Sequence, residues 1–432
     1  MSTRNLACAC LVAVVLSGAQ SSGQANDWPQ FRGPNRDGVS LEKGLLQKWP
    51  DAGPPKVWTA AGLGGGEGSI AVAQGAIYGI GNRGAKRVLW ALDEATGKPK
   101  WSALISDERN VKEGGMNSTP TFAKGRVYAV SGMGDLVCAD AATGNIVWRK
   151  SYLDDFGGKP PGFGGYSESV LVDDGKVICA PGSASAAIVA LKAETGEVIW
   201  KTKTEINSRQ VGWLYASAVK AEVGGVPLYI TILSGAQGGL TAVHAKTGSL
   251  LWQYNKMMGG AYPIPNPLVK GDLVVASTDG GWAVLQMTAA GKDEVAVKEL
   301  KRYGGKELGD YRGGMVPVGD CIYFAHTLAK GGYLPVCVDW AGQIKWKASE
   351  APGGGEGSAG VIYADGMLYL QYENGVIALV KADPDQFTLV STFAPPEIRG
   401  RDKRSHPAIA NGRLYIHDHD RLHCFNLKAG AN

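Results

Sequence analysis

The chain has 432 residues, 62 of them Gly, with 19% charged side chains. High Gly at ordinary hydrophobicity points to many short strands joined by tight turns. The formal net charge of +4 and the lack of any basic block exclude nucleic acid as a partner class.

Residues 1–25 read as a secretory signal. Arg4 supplies the positive end, Leu6 to Leu16 is a short apolar run, and small residues follow, with cleavage after Ala19 or Ala25. The run is too short to span a bilayer, and no later stretch is long and apolar enough for a membrane helix. Cys8 and Cys10 lie before or at the start of that run, so no lipid anchor is expected there. The expectation is an exported protein of the periplasm, cell envelope or exterior.

Residues 26–55 open with Asp27-Trp28-Pro29-Gln30-Phe31-Arg32-Gly33-Pro34 and show no periodicity. They read as an ordered segment held against the main domain by Trp28 and Phe31. Lys56-Val57-Trp58-Thr59 then looks like the last strand of a unit whose earlier strands are missing.

A repeat governs the rest. Ala95-Thr96-Gly97 with Trp101 recurs as Ala142-Thr143-Gly144 with Trp148, Glu194-Thr195-Gly196 with Trp200, Lys246-Thr247-Gly248 with Trp252 and, more weakly, Ala341-Gly342 with Trp346. Each Trp follows its Gly by four residues, and a short apolar run precedes each Gly. This is a strand–turn–strand signal with a left-handed Gly. Earlier in each unit stand phrases such as Gly75-Ala76-Ile77-Tyr78 and Gly125-Arg126-Val127-Tyr128, which mark a second hairpin. The Trp residues are spaced 47, 52, 52 and then 94 residues apart, and the last interval is twice 47. A degenerate unit therefore lies between, its last strand near Val295–Val297. Another ends near Phe387–Val390. The chain finishes on three strands, through Leu422-His423-Cys424-Phe425, with no fourth. The orphan strand at 56–59 supplies it. The predicted fold is all-β: an eight-bladed β-propeller of four-stranded antiparallel blades over 56–428, its ring closed by an N-terminal strand completing the last blade.

These units resemble the pyrroloquinoline-quinone-like (PQQ-like) propeller repeat, on the phrase Ala-Leu-Asp-x-x-Thr-Gly-x-x-x-Trp at 91–101 and its copies. The resemblance covers nearly the whole mature chain. That family includes quinoprotein alcohol dehydrogenases, the lipoprotein that assists outer-membrane β-barrel assembly, and many secreted bacterial proteins. The opening Trp28–Asn35 looks like the start of the last group. The resemblance implies the fold and says little of activity.

Strand parity puts the Thr-Gly turns on one face and the longer loops before each innermost strand on the other. Aligning the units on the Gly of the following turn brings Glu67, Asn117, Ser167, Tyr311 and Arg404 to one level. Glu356 joins them because Gly353–Ser358 repeats Gly64–Ser69. Trp213, Tyr215 and Tyr262 come from equivalent loops. These side chains are expected to line a polar, aromatic-rimmed axial funnel, the default ligand site of a ring-shaped fold. A purely structural reading covers the same loops: Gly lets eight chains crowd an axis, and the Glu side chains accept hydrogen bonds from loop amides.

His417 and His419, with His423 and His406, are weak candidates for a metal such as zinc or copper, against the plainer reading of a solvated turn. Five cysteines follow the leader. Cys138, Cys337 and Cys424 share one repeat position with Ala91, Ala190, Ala242 and Ala378, which suggests a slot for a small side chain. The hairpin register places Cys321 and Cys337 as a possible opposed pair. In the quinone enzymes that the resemblance brings to mind, the cofactor lies on the axis over a Trp and under a vicinal disulfide, with calcium on acidic and amide side chains. Glu67, Asn117 and Glu356 are of the type to hold calcium. No two cysteines after the leader are adjacent, and no Asp matches the family's base. The expected function is therefore a monomeric, non-catalytic binding or scaffold module of the envelope, without cofactor, taking a protein, peptide or glycan at its funnel. The alternative is a periplasmic quinoprotein (PQQ and calcium) alcohol or sugar dehydrogenase.

Overall fold

The computed structural model describes residues 26–107, 118–160, 165–204, 215–233, 238–259, 263–310, 312–327, 332–395, 397–398 and 404–430. The leader lies outside them. The described strands form eight four-stranded antiparallel sheets, each pairing its strands in meander order. In blade 1 these are Ala71–Ala73, Ala76–Arg83, Lys86–Asp93 and Pro99–Asp107. The innermost strands of blades 2 to 8 are Thr121–Ala123, Leu171–Asp173, Val219–Val223, Leu268–Lys270, Val316–Val318, Ala359–Ala364 and Ala408–Ala410. Helix is confined, among the described residues, to one 3-10 turn at Pro352–Gly354.

Blade 8 closes the ring as expected. Lys56–Ala61 pairs antiparallel with Arg421–Asn426, Trp58 opposite Cys424 and Thr59 opposite His423. The first and last strands of the propeller thus lie within one sheet, which protects each from offering a bare edge.

The Thr-Gly…Trp phrase has a two-sided cause. Gly97, Gly144, Gly196 and Gly248 all have φ between 69° and 77°, a region costly for other residues. Each also lies under the Trp of the preceding blade: a Cβ on Gly144 would sit 2.6 Å from the Trp101 ring, and one on Gly196 2.9 Å from Trp148. The indole N–H then donates to the next blade's backbone, Trp101 to Ala141 O at 3.0 Å and Trp148 to Ala193 O at 3.0 Å. The repeat therefore encodes the seam between blades. In blade 5, which lacks the Trp, Lys301 holds its position and packs over Gly342, and Tyr303 supplies the hydrogen bond to Gly342 O at 2.8 Å.

The small-residue slot also has a direct explanation. Cys138, Cys337 and Cys424 lie opposite Trp148, Trp346 and Trp58, as Ala91 lies opposite Trp101 and Ala190 opposite Trp200. All five described cysteines are free and buried. Cys321 faces Asp339 and Cys337 faces Tyr323, so the two are offset by two residues and not opposed. The degenerate unit's last strand runs over Leu389–Phe393, slightly later than expected. Phe387 precedes it and packs edge-on against Trp346, 5.7 Å between rings.

The N-terminal segment does more than pack on the outside. Trp28 pairs with Val72 at the turn end of an innermost strand, and Ser40 donates its N–H to Tyr363 O at 2.8 Å. Between these anchors, residues 29–38 are threaded into the central channel. Arg32 and Arg36 are each about 2% exposed. Arg32 donates to Val361 O at 3.2 Å and to Met315 O, while Arg36 donates to Val170 O at 3.2 Å and to Ser169 O. The two guanidinium groups pin the loop to opposite walls of the ring. Burial holds both below the ordinary arginine range, to about 10 for Arg32 and about 9 for Arg36.

Candidate functional site

Counting from the channel outward, each blade presents two residues to the axis. The inner tier is bridged from blade to blade. Thr119 N donates to Ser169 Oγ at 2.9 Å, Ser169 N to Ser217 Oγ at 2.9 Å, and Ser217 N to Asn266 Oδ1 at 3.2 Å. Across the closing seam His406 N donates to Ser69 Oγ at 2.6 Å, and Ser69 Oγ returns a bond to His406 O at 3.0 Å. The two remaining members are Gly314 and Gly360. The absent side chain at Gly314 admits Arg32, whose Nη1 would lie 2.3 Å from a Cβ there.

Two residues earlier in each blade stands the outer tier. It comprises Glu67, Ser167, Tyr215, Ile264, Arg312, Ser358 and Arg404, and these line one axial pocket with Ser69, Thr119, Ser169, Gly360 and His406. Phe31, at the apex of the threaded loop, also lines it and packs edge-on against His406 at 5.2 Å. The enclosed space is small, about 60 Å³, and opens into a wider mouth. The loop makes it a blind funnel rather than a pore.

One side of the mouth carries alternating charge. Glu67 pairs with Arg404 at 3.3 Å, Arg404 Nε lies 3.7 Å from Glu373, and Glu373 pairs with Arg312 at 3.1 Å. Ser358 donates its hydroxyl to the same Glu373 oxygen. The chain of ion pairs runs from blade 6 through blades 7 and 8 to blade 1. On the other side the described lining residues are neutral: Thr119, Ser167, Ser169, Tyr215 and Ile264.

Two buried carboxyls sit behind the wall. Asp310 is fully enclosed and accepts the Arg312 and Gly313 N–H groups at 2.9 and 2.8 Å. Burial pushes it up to about 6, against the pull of those amides and of Arg32. Glu168 accepts from Tyr152 Oη at 2.6 Å and Ala180 N at 2.8 Å, and burial pushes it up to about 7. His406 is held neutral: burial, then the Arg32 charge, lowers it to about 3. Its Nδ1 accepts from Arg32 at 3.1 Å, leaving Nε2 to donate to Arg312 O at 3.2 Å.

The structure brings together Glu67, Ser167, Tyr215 and Arg404 from the expected set. Asn117, Trp213, Tyr262 and Tyr311 lie outside the described residues. Glu356 is exposed and away from the pocket. Blade 7 has a six-residue innermost strand where blade 1 has three, so the repeated Gly-Gly-Gly-Glu-Gly-Ser phrase starts higher, and Ser358 takes the level of Glu67. In blade 6 the turn places its Gly first, at Gly319-Asp320, whereas blade 1 uses Gln74-Gly75. Alignment on Gly therefore slips by one, and Arg312, not Tyr311, holds the rim position. Phe31 was legible as a packing residue but not as pocket lining, and the hydroxyl-tier residues carried no signal in a single unit. Their signal was the recurrence of Ser or Thr at one offset before four innermost strands.

The histidine cluster is dispersed. His417 ends buried with Nδ1 donating to Gly68 O at 2.6 Å, and its strand stops at Asp418. His419 sits in the two-residue turn with φ 56°, so the pair does not share a strand face. His423 Nδ1 lies 3.1 Å from Thr59 Oγ1. Among the described residues, no three His, Cys, Asp or Glu side chains gather as a metal set.

This is an eight-bladed PQQ-like propeller with a blind axial pocket. The family model described as outer membrane protein assembly factor BamB matches residues 85–332, and the chain belongs to that family. A similar relative is the outer membrane protein assembly factor BamB of Shewanella oneidensis, 27% identical over 202 residues, 46% of this chain and 45% of that protein. The chain thus spans about half the length of the curated relatives it matches. Two solved structures share the fold. BamB from Moraxella catarrhalis superposes with TM-score 0.60 at 15% identity, over 87% of this chain and 98% of that one. Quinohemoprotein alcohol dehydrogenase from Comamonas testosteroni superposes with TM-score 0.65 at 15% identity, over 94% and 81%.

Proposed function

We propose that the protein is an exported, non-catalytic binding module of the cell envelope that captures a partner in its axial pocket. The observation that carries this reading is the construction of the pocket: one rim residue from each described blade position, a hydroxyl tier beneath, and a floor supplied by the chain's own N-terminal loop. Such convergence of polar groups on a concave, pre-formed site is what ligand sites share. The similarity to BamB proteins supports an envelope role.

Quinone chemistry is the competing reading, favoured by the shared fold with an alcohol dehydrogenase. The described part of the donor set argues against it. Among the described residues lining the pocket, Glu67 is the one carboxylate, and Arg404 pairs with it. A calcium ion needs several oxygen ligands free of competing cations. Phe31 also fills the axis below the rim.

The test is capture from a detergent-treated envelope extract on immobilised protein, comparing wild type with Glu67→Gln/Arg404→Met. Loss of specific captured material in the variant supports the reading, and capture indifferent to the rim overturns it. Stoichiometric visible absorbance after adding the quinone and calcium, with dye-linked alcohol oxidation, overturns it in favour of an oxidoreductase.

A further inference from the structure

We infer that the axial pocket recognises a neutral saccharide unit; this rests on the pocket being the binding site proposed above. Three observations point the same way. Among the described residues, the charges at the mouth pair with one another: Glu67 and Glu373 against Arg312 and Arg404, each within 3.7 Å of a partner of opposite sign. An anionic ligand would have to displace a carboxylate from these guanidinium groups, and a cationic one would have to do the reverse. Either exchange loses a partly buried ion pair in order to make another. A neutral hydroxyl ligand needs no exchange, because it can donate to the carboxylates and accept from the guanidinium groups while the pairs stay intact.

The opposite wall is built of hydroxyls with capacity to spare. Ser167 Oγ is buried with no partner among the described residues. Ser169 Oγ accepts from Thr119 N, and among the described residues its own proton has no recorded acceptor. A buried polar atom left unbonded is costly, so a ligand that both donates and accepts there gains by supplying the missing bonds. A sugar hydroxyl has that dual character.

The third observation is the apolar part of the lining. Phe31 forms the floor, with Tyr215 and Ile264 on the neutral wall. A pyranose has an apolar C–H face along with its hydroxyl edge, and an aromatic floor under a polar rim matches both. Phe31 belongs to the threaded loop, so the N-terminal segment is itself part of the recognition surface.

The experiment uses the intact protein and a panel of neutral mono- and disaccharides of the gluco, galacto, manno and N-acetylglucosamine types. An acidic disaccharide and a mixed Lys/Glu peptide serve as charged probes. Binding is followed by calorimetry and ligand-observed NMR. Saturable binding of at least one neutral saccharide is expected, weakened about tenfold or more by Ser167→Ala and by Glu67→Gln, with folding of each variant checked by circular dichroism. No binding across the neutral panel overturns the inference, as does preferential binding of a charged probe. Failure here is separable from failure of the binding reading. If envelope capture depends on the rim but neutral saccharides in excess do not compete, only the saccharide assignment falls. If capture ignores the rim, the pocket itself is not the site.

Discussion

Tyr415 donates its hydroxyl to Glu94 Oε1 at 3.0 Å, across the seam where blade 8 meets blade 1. At other seams the equivalent Tyr donates to a backbone carbonyl: Tyr78 to Ala141 O at 3.4 Å, Tyr128 to Ala193 O at 3.1 Å. Glu94 stands where those Ala residues stand. Asn411 Nδ2 adds a second bond to its carboxylate at 2.9 Å, and Arg413 takes its carbonyl at 2.7 Å. The seam beside the non-covalent junction within blade 8 thus carries side-chain contacts that the Tyr78 and Tyr128 seams lack. Glu94→Ala is expected to lower stability by about 1–3 kcal/mol, since it leaves buried donors without an acceptor. Tyr415→Phe should cost less in that background than alone, a coupling that urea unfolding of the double-mutant cycle will measure.

The seam glycines give a second expectation. Gly144→Ala introduces a Cβ at φ 77° and 2.6 Å from the Trp101 ring. Strain and overlap together should cost about 2–4 kcal/mol. Gly125 also has positive φ, 74°, but nothing lies within 4 Å of its Cβ position, so Gly125→Ala should cost about 1 kcal/mol. Equal losses in thermal or urea melts would contradict the role assigned to the Trp contact.

Removing the Arg32 side chain should loosen the channel. Arg32→Met leaves the Met315 and Val361 carbonyls without this donor, at an expected cost of about 3 kcal/mol or more. The amides of residues 28–40 should exchange with deuterium faster than in wild type, while those of the outer strands keep their protection. Unchanged exchange in the loop would show that Arg36 alone pins it.

Glu168 and His406 pull the pH dependence in opposite directions. Glu168 is raised from 4.5 to about 7, so the folded state takes up a proton that the unfolded chain does not hold between those values. Its ionised form is therefore a burden above pH 7, relieved as pH falls toward 4.5. His406 is lowered from 6.5 to about 3. Its neutral form leaves stability whole above pH 6.5 and erodes it as pH falls toward 3. Glu168→Gln keeps an acceptor for Tyr152 and Ala180, so it should exceed wild type by on the order of 2 kcal/mol at about pH 8 and lose that advantage near pH 4.5. Paired urea titrations at the two pH values check the sign.

The two near-identical Gly-rich phrases make a sharp control. Glu67→Gln should alter partner capture, and Glu356→Gln should leave it within error, because Glu67 is ion-paired at the rim while Glu356 is exposed outside it. Ser358→Glu, by contrast, puts a carboxylate at the true equivalent of Glu67 and should disturb Glu373 and its two arginines.

The ring itself was legible because its signal is redundant. Trp101, Trp148 and Trp200 each report the same seam, and the orphan strand at 56–59 had one place to go. The site was less legible because rim positions are set by strand length and turn phase, which differ between blades by one or two residues. Gly319 leading its turn moved the rim from Tyr311 to Arg312, and the longer strand Ala359–Ala364 moved it from Glu356 to Ser358. The segment that floors the pocket was read as packed on the domain, but its path into the channel was not legible, for a different reason. Arg32 and Arg36 satisfy backbone carbonyls of distant blades, a contact that no local periodicity records.

Closure by the strand Lys56–Ala61 also sets an order of events. Its partner Arg421–Asn426 lies far later in the chain, so the early strand must wait, unpaired, until that segment has folded into its sheet. Contacts this distant in sequence slow folding and prolong the exposure of sticky strand edges. An escort that shields the early segment until the terminal sheet arrives would therefore raise the yield of circles over tangles.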